Sequence, residues 1–117
     1  MIEKTLWRSN FKKSDDTLII TEAPIDAISY EVIHNLSSAS YVATCGGFSS
    51  SQSDMIKDFV EGFSQFKKII IATDNNAGGN QIAERLFHII ETSKFNGSIN
   101  RHSPSKESHD WSNVLMG

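Results

Sequence analysis

Thr17-Leu18-Ile19-Ile20-Thr21-Glu22-Ala23-Pro24-Ile25-Asp26 is the stretch on which the reading of the whole chain turns. Its first five residues are a continuous apolar and β-branched run, the pattern of a strand buried on both faces. Pro24 follows where a first-turn proline is welcome, and Ile25, Ile28, Val32 and Leu36 then recur at helical spacing. A strand followed directly by a helix is therefore predicted here. Ser40-Tyr41-Val42-Ala43-Thr44 reads as a second strand, broken by Gly46-Gly47. Ser51 with Asp54 has the pattern of a capping box, and Met55, Ile56, Phe59, Val60, Phe63 and Phe66 form the apolar stripe of a second helix closed by Lys67-Lys68.

The third unit repeats the scheme. Ile69-Ile70-Ile71-Ala72-Thr73 is a buried strand ending at Asp74, Asn75 to Gly79 is a turn, and Ile82, Ala83, Leu86, Phe87, Ile89 and Ile90 mark a third helix. Gly97 to Arg101 is a weaker fourth strand. Three strand–helix alternations with short links require right-handed crossovers, hence an α/β fold with a mostly parallel four-stranded sheet flanked by helices. Residues 1–16 precede the repeat and read as an extension, an edge hairpin or a junction to an upstream domain; residues 17–117 form the domain proper.

Composition narrows the function. With 117 residues, 38% of them apolar, there is material for one domain and one core. No apolar run approaches the roughly 18 residues of a membrane span, no secretory signal opens the chain, and the single Cys45 suits a reducing compartment, so a cytoplasmic protein is expected. Walker, dinucleotide-binding and zinc signatures are missing from the sequence. Eleven basic residues against fourteen acidic ones give a net charge of -3, which argues against a domain that grips nucleic acid unaided.

Ligands of open parallel sheets bind beyond the carboxyl ends of the strands, and two of those ends are acids: Glu22 and Asp74. Adjacent strands lie about 4.8 Å apart, close enough for two such carboxylates to share a hard cation. Asp26, four residues after Glu22, returns toward the same end. Two of the three also have a plain structural use, Asp26 on a helix macrodipole and Asp74 at the start of a turn. Glu22 has none, because the end of a buried strand does not call for a carboxylate without a partner. Gly46-Gly47 and Gly78-Gly79 could let backbone amides approach a phosphate or could simply turn the chain. His34, His88 and His102 fit no motif and read as ordinary surface or boundary residues.

Leu18 to Ala27 resembles the first motif of the Toprim domain, the catalytic module of topoisomerases and bacterial-type primases: a hydrophobic strand, Glu, a small residue, two positions and Asp. Ile69 to Asp74 with Asn75-Asn76-Ala77-Gly78 resembles the second motif, a strand ending in Asp-x-Asp. His109-Asp110-Trp111-Ser112-Asn113-Val114-Leu115 is similar to the Lys-Asp-Trp-Asn-x-x-Leu ending found in primase and mobilisation proteins of plasmids and conjugative elements, and Leu6-Trp7-Arg8-Ser9-Asn10 to their lead-in.

The resemblance implies a three-layer Rossmann-like Toprim fold and a magnesium-dependent phosphoryl-transfer site, with manganese able to stand in. It gives Glu22 and Asp74 as catalytic residues, Glu22 as general acid or base, and Glu22, Asp26, Asp74, Asn76 and Asp110 as metal ligands. Its partners would be DNA and nucleoside triphosphates, held mainly by other parts of a longer chain. Asn76 departs from the motif, since an amide oxygen can ligate magnesium but contributes no charge. His109 stands where the family has Lys. The resulting expectation is the catalytic domain of a primase-like nucleotidyltransferase in DNA replication or mobilisation. The alternatives are a degenerate module that binds DNA, nucleotide or a neighbouring domain, and a strand-cleaving domain of nuclease or topoisomerase type. A receiver-like phosphoacceptor would share the sheet but needs an acidic pair after the first strand, and Asp15-Asp16 precede it.

Overall fold

A computed structural model describes residues 7–9, 14–36, 38–44, 50–62, 65–106 and 109–116. In chain order they form β1 (Trp7–Arg8), β2 (Thr17–Thr21), α1 (Pro24–His34), β3 (Ala39–Ala43), α2 (Ser50–Gly62), β4 (Lys68–Ile71), α3 (Ala77–Thr92), β5 (Ser98–Arg101) and α4 (Trp111–Met116). The sheet order is β1-β3-β2-β4-β5. Its four long strands are all parallel, as the alternation requires, and β1 adds a two-residue antiparallel edge on β3.

The sheet is covered on both faces, and strand alternation sorts the side chains between them. Leu18, Ile20, Ile69 and Ile71 point to one side, against Ile56 and Val60 of α2 and Ala83, Leu86 and Ile90 of α3. Ile19, Ile70 and Ala72 point to the other, against Ala27 and Tyr30 of α1 and Trp111 of α4. Leu18, Ile19 and Ile20 are fully buried because β2 has a strand on each flank and a helix layer on each face. Each such side chain contributes about 1.5–3 kcal/mol of transfer free energy.

Several boundaries move from the sequence reading. Helix α2 begins at Ser50 and stops at Gly62, so Ser51 lies inside the first turn, while Phe66 enters the core from the link to β4. Phe63 and Gly46-Gly47 lie outside the described residues. The helix predicted from the spacing of Ile25, Ile28, Val32 and Leu36 is present as α1. Ile25, Ile28 and Val32 face outward, Leu36 just beyond the helix packs against the core, and α1 itself buries Asp26, Ala27, Ser29 and Tyr30. Among the described residues no helix is long and apolar enough to cross a membrane.

The order β3-β2-β4-β5 places the first and third parallel strands side by side, with their following helices on opposite faces. That is the topological switch point at which such sheets open a crevice beyond the carboxyl ends. Glu22 and Asp74 leave their strands there.

Candidate metal centre

The loop after β2 is built to present two acids. Ala23 is extended (φ -136°, ψ 151°), as a residue before proline prefers, and Pro24 starts α1 with no side-chain cap. Asp26 N–H donates to Ala23 O at 3.0 Å and Thr21 Oγ1 donates to the same oxygen at 3.0 Å, which tightens the turn. Glu22 thus stays at the strand end, half-buried, and Asp26 is carried inward to 3% exposure.

After β4 the chain continues its pairing through Ala72 N–H to Ile20 O at 2.8 Å and then delivers Asp74. The backbone amide of Asp74 donates to Glu22 Oε2 at 2.8 Å, joining the two strand ends. Asn76 is the N-cap of α3, and its Oδ1 accepts from Gly79 N–H at 2.7 Å. This is the ordinary work of an Asn cap, and it satisfies one of the free amides of the first turn. Gly79 is required where it stands: a Cβ there would come within 2.1 Å of Asp74 O.

The third acid arrives from α4. Asp110 caps that helix, its Oδ1 accepting from Asn113 N–H at 2.9 Å and Ser112 Oγ at 2.7 Å while its own N–H donates to Asn113 Oδ1 at 3.0 Å. The next residue anchors the helix. Trp111 is buried, and its indole N–H donates to Ala72 O at 3.0 Å, two residues before Asp74. Asn75 N–H to His109 O at 3.1 Å and Asn75 Nδ2 to Pro104 O at 2.8 Å tie the same loops together.

Asp26, Asp74 and Asp110 each bring a carboxylate oxygen within 4.8 Å of those of the other two. Asp26 Oδ1 and Asp74 Oδ1 are buried and have no hydrogen-bond partner. Desolvation, followed by the negative charge of Asp110, raises the Asp26 pKa to about 6, although the backbone amides of Ser112 and Trp111 pull it partly back. Desolvation, followed by its hydrogen bond and charge contact with Glu22, pushes Asp74 up to about 8. Crowded carboxylates with two buried oxygens left without donors are costly alone and offer the hard oxygen ligands a divalent cation takes. These residues fit magnesium. Glu22 borders the trio, fixed through Asp74 N–H, whereas Asn76 has its side-chain oxygen on Gly79.

Two features escape the sequence reading. Arg101, at the end of β5, donates from Nη2 to Asp74 O at 2.9 Å, and its buried Nε has no hydrogen-bond partner. Alternation along β5 could have flagged it, because Arg101 shares a face with Ile99 and so points into the layer beside α3. The other feature is a group of four rings under α4. Tyr30 OH and His102 Nδ1 are 2.7 Å apart, His34 Nδ1 lies 3.1 Å from Tyr30 O, and Trp111 packs edgewise on Tyr30, His34 and His102 at centroid distances of 4.8, 5.3 and 4.9 Å. His34 is half-buried and His102 exposed, the boundary and surface positions expected of them, and both pack against Trp111. His88 is exposed, as expected.

Over residues 19–115 the sequence matches the Toprim-like family, and the chain belongs to that family. No curated protein matches it. Toprim-like domains bind magnesium through acidic residues and serve in nucleic-acid processing.

Proposed function

We propose that this domain is the magnesium-dependent catalytic module of a primase-like nucleotidyltransferase acting in DNA replication or mobilisation, with its DNA grip supplied by other parts of a longer chain. The observation that carries the reading is the convergence of Asp26, Asp74 and Asp110 from three separate segments, with two buried oxygens lacking any donor. These three carboxylates would hold the cation. Bound there, magnesium, or manganese in its place, supplies charge neutralisation for the phosphates of a nucleoside triphosphate or a DNA strand.

The chain's own residues divide the remaining work. Glu22, with Oε2 held on the Asp74 amide, is oriented to take or give a proton at its other oxygen. Asn76 holds the loop through Gly79 and fixes where Asp74 can stand, so it supports the centre rather than ligating it. Trp111 holds Asp110 against β4 through Ala72. A net charge of -3 is partly offset once a cation sits among the acids, yet the domain alone should bind DNA weakly.

The Asn76 cap favours one second reading, a module whose motif has lost an anionic ligand and which binds nucleotide or a neighbouring domain without catalysis. A magnesium titration followed by amide NMR decides. The catalytic reading expects saturable shifts confined to Glu22, Asp26, Asp74 to Ala77 and Asp110 to Ser112, abolished by Asp74→Asn, and template-dependent nucleotidyl transfer by the longer protein that Glu22→Gln eliminates. Absence of saturable shifts, or transfer unaffected by Glu22→Gln, overturns it.

A further inference from the structure

Arg101 ends β5 opposite Ile71 in the strand register, on the sheet face that Ile99 turns toward α3. Packing does not explain an arginine there. The residue is half-buried, its Nε is shut off from water without an acceptor, and among the described residues no carboxylate pairs with it. A buried donor left open costs free energy, and an apolar side chain at the same register position would carry no such cost. Among the described residues Arg101 makes one hydrogen bond, from Nη2 to Asp74 O at 2.9 Å.

We infer, resting on the magnesium centre proposed above, that Arg101 is a positioning residue for that centre: it fixes the backbone of Asp74 so that the Asp74 carboxylate stands among those of Asp26 and Asp110. Asp74 is gripped from both flanking strands. Its N–H donates to Glu22 Oε2 at 2.8 Å, at the end of β2, and its C=O accepts from Arg101 at the end of β5. Gly79 closes on the same residue so tightly that a Cβ there would lie 2.1 Å from Asp74 O. The guanidinium is bonded to the carbonyl and not to the carboxylate, and Asp74 Oδ1 is left buried without a donor. An arginine turned onto the carboxylate would compete with a cation for the same oxygens.

Such a clamp matters most to an ion that is strict about geometry. Magnesium demands near-ideal octahedral placement of its ligands, whereas calcium accepts a looser and larger set. Freeing the Asp74 carbonyl should therefore weaken magnesium more than calcium, a difference that general destabilisation of the domain would not produce.

Calorimetric titration of the 117-residue chain with magnesium chloride and with calcium chloride, free of phosphate and nucleotide, tests the role. Arg101→Met keeps most of the stem and removes the donor together with the unpartnered Nε, so the fold should persist with little change in its urea midpoint. Its magnesium Kd should rise about tenfold, as removal of a group that holds a metal ligand typically does, while its calcium Kd changes by less than about threefold. Arg101→Lys should stay within about threefold of wild type for both ions, because a single carbonyl needs one donor and not the guanidinium fork. The amide nitrogen of Asn75 belongs to the peptide whose carbonyl Arg101 holds, so its NMR shift should move in Arg101→Met before any cation is added. A wild-type chain that binds no magnesium would overturn the cation reading and this role with it. Magnesium bound equally by wild type and Arg101→Met, a parallel loss of both cations, an unmoved Asn75 amide, or Arg101→Lys binding as weakly as Arg101→Met would overturn the role alone.

Discussion

The amide of Asp74 donates to the carboxylate of Glu22 at 2.8 Å, so the ends of two adjacent parallel strands are joined by a bond from the backbone of one acid to the side chain of the other. The bond brings two carboxylates together in a buried place, and that proximity contributes to the raised pKa of Asp74. Glu22→Gln keeps an acceptor for the amide while removing the charge. The fold should persist, and the Asp74 pKa should fall from about 8 toward the ordinary carboxylate range, read from its side-chain carbon shift in an NMR pH titration. An unchanged titration would show that Glu22 is not among the causes.

Stability should depend on pH in a direction opposite to that of a salt-bridged acid. Asp26 and Asp74 bind protons more tightly when folded, at about 6 and about 8, than in the unfolded chain, where the reference is 3.8. Between those values the native state holds the extra protons, so unfolding stability falls as pH rises. Their contribution is fully present below about pH 4 and is lost through about 6 and about 8. Urea unfolding without divalent ions should show higher midpoints at pH 5 than at pH 8, and saturating magnesium should narrow the gap.

Asp74→Asn removes one of the crowded charges. The metal-free protein should melt a few degrees higher than wild type at pH 8, and the rise in melting temperature on adding magnesium should vanish. Scanning calorimetry with and without magnesium distinguishes this from general damage, which would lower the metal-free value.

Trp111→Phe keeps a ring in the aromatic group but removes the indole N–H that binds Ala72 O. The loss should cost about 1–2 kcal/mol, seen in chemical denaturation. Because α4 also carries Asp110, magnesium affinity should fall severalfold by calorimetric titration. A drop in stability with unchanged affinity would separate Trp111 from the centre.

Two neighbouring glycines should respond in opposite senses. At Gly79 a Cβ would lie 2.1 Å from Asp74 O, so Gly79→Ala must displace the loop and should cost about 3 kcal/mol or more. At Gly78 the nearest atom is Asn76 Oδ1 at 3.5 Å, an ordinary contact within the first turn of α3. Gly78→Ala should stabilise by about 0.5–1 kcal/mol through reduced backbone entropy of the unfolded chain. Denaturation midpoints of the two variants check the pair.

Much of this was legible in the residues. The runs at 17–21 and 69–73 carry their own burial pattern, and strand-end logic with parallel pairing singles out Glu22 and Asp74 before any coordinate is known. Asp110 was not legible that way. Thirty-six residues after Asp74 and in no periodic segment, it could be placed only by resemblance to a family ending. Which face of α1 is covered was not legible, because periodicity reports that a helix has two faces and not which one is buried. The ring group of Tyr30, His34, His102 and Trp111 joins three elements distant in sequence, and no spacing rule reaches across them. Asn76 shows the reverse case, in which one residue suits two jobs and the local geometry of α3 identifies the cap.

Because Asp110 and Trp111 come after every strand and the three long helices, the trio of aspartates is closed by the last element of the domain to be synthesised. A nascent chain that has already paired β2 with β4 holds Asp26 and Asp74 near each other without the third carboxylate. Strong chelation would begin only when α4 docks, so uptake of the cation would mark completion of the domain, and a chain cut short before that helix would be folded in large part yet empty-handed.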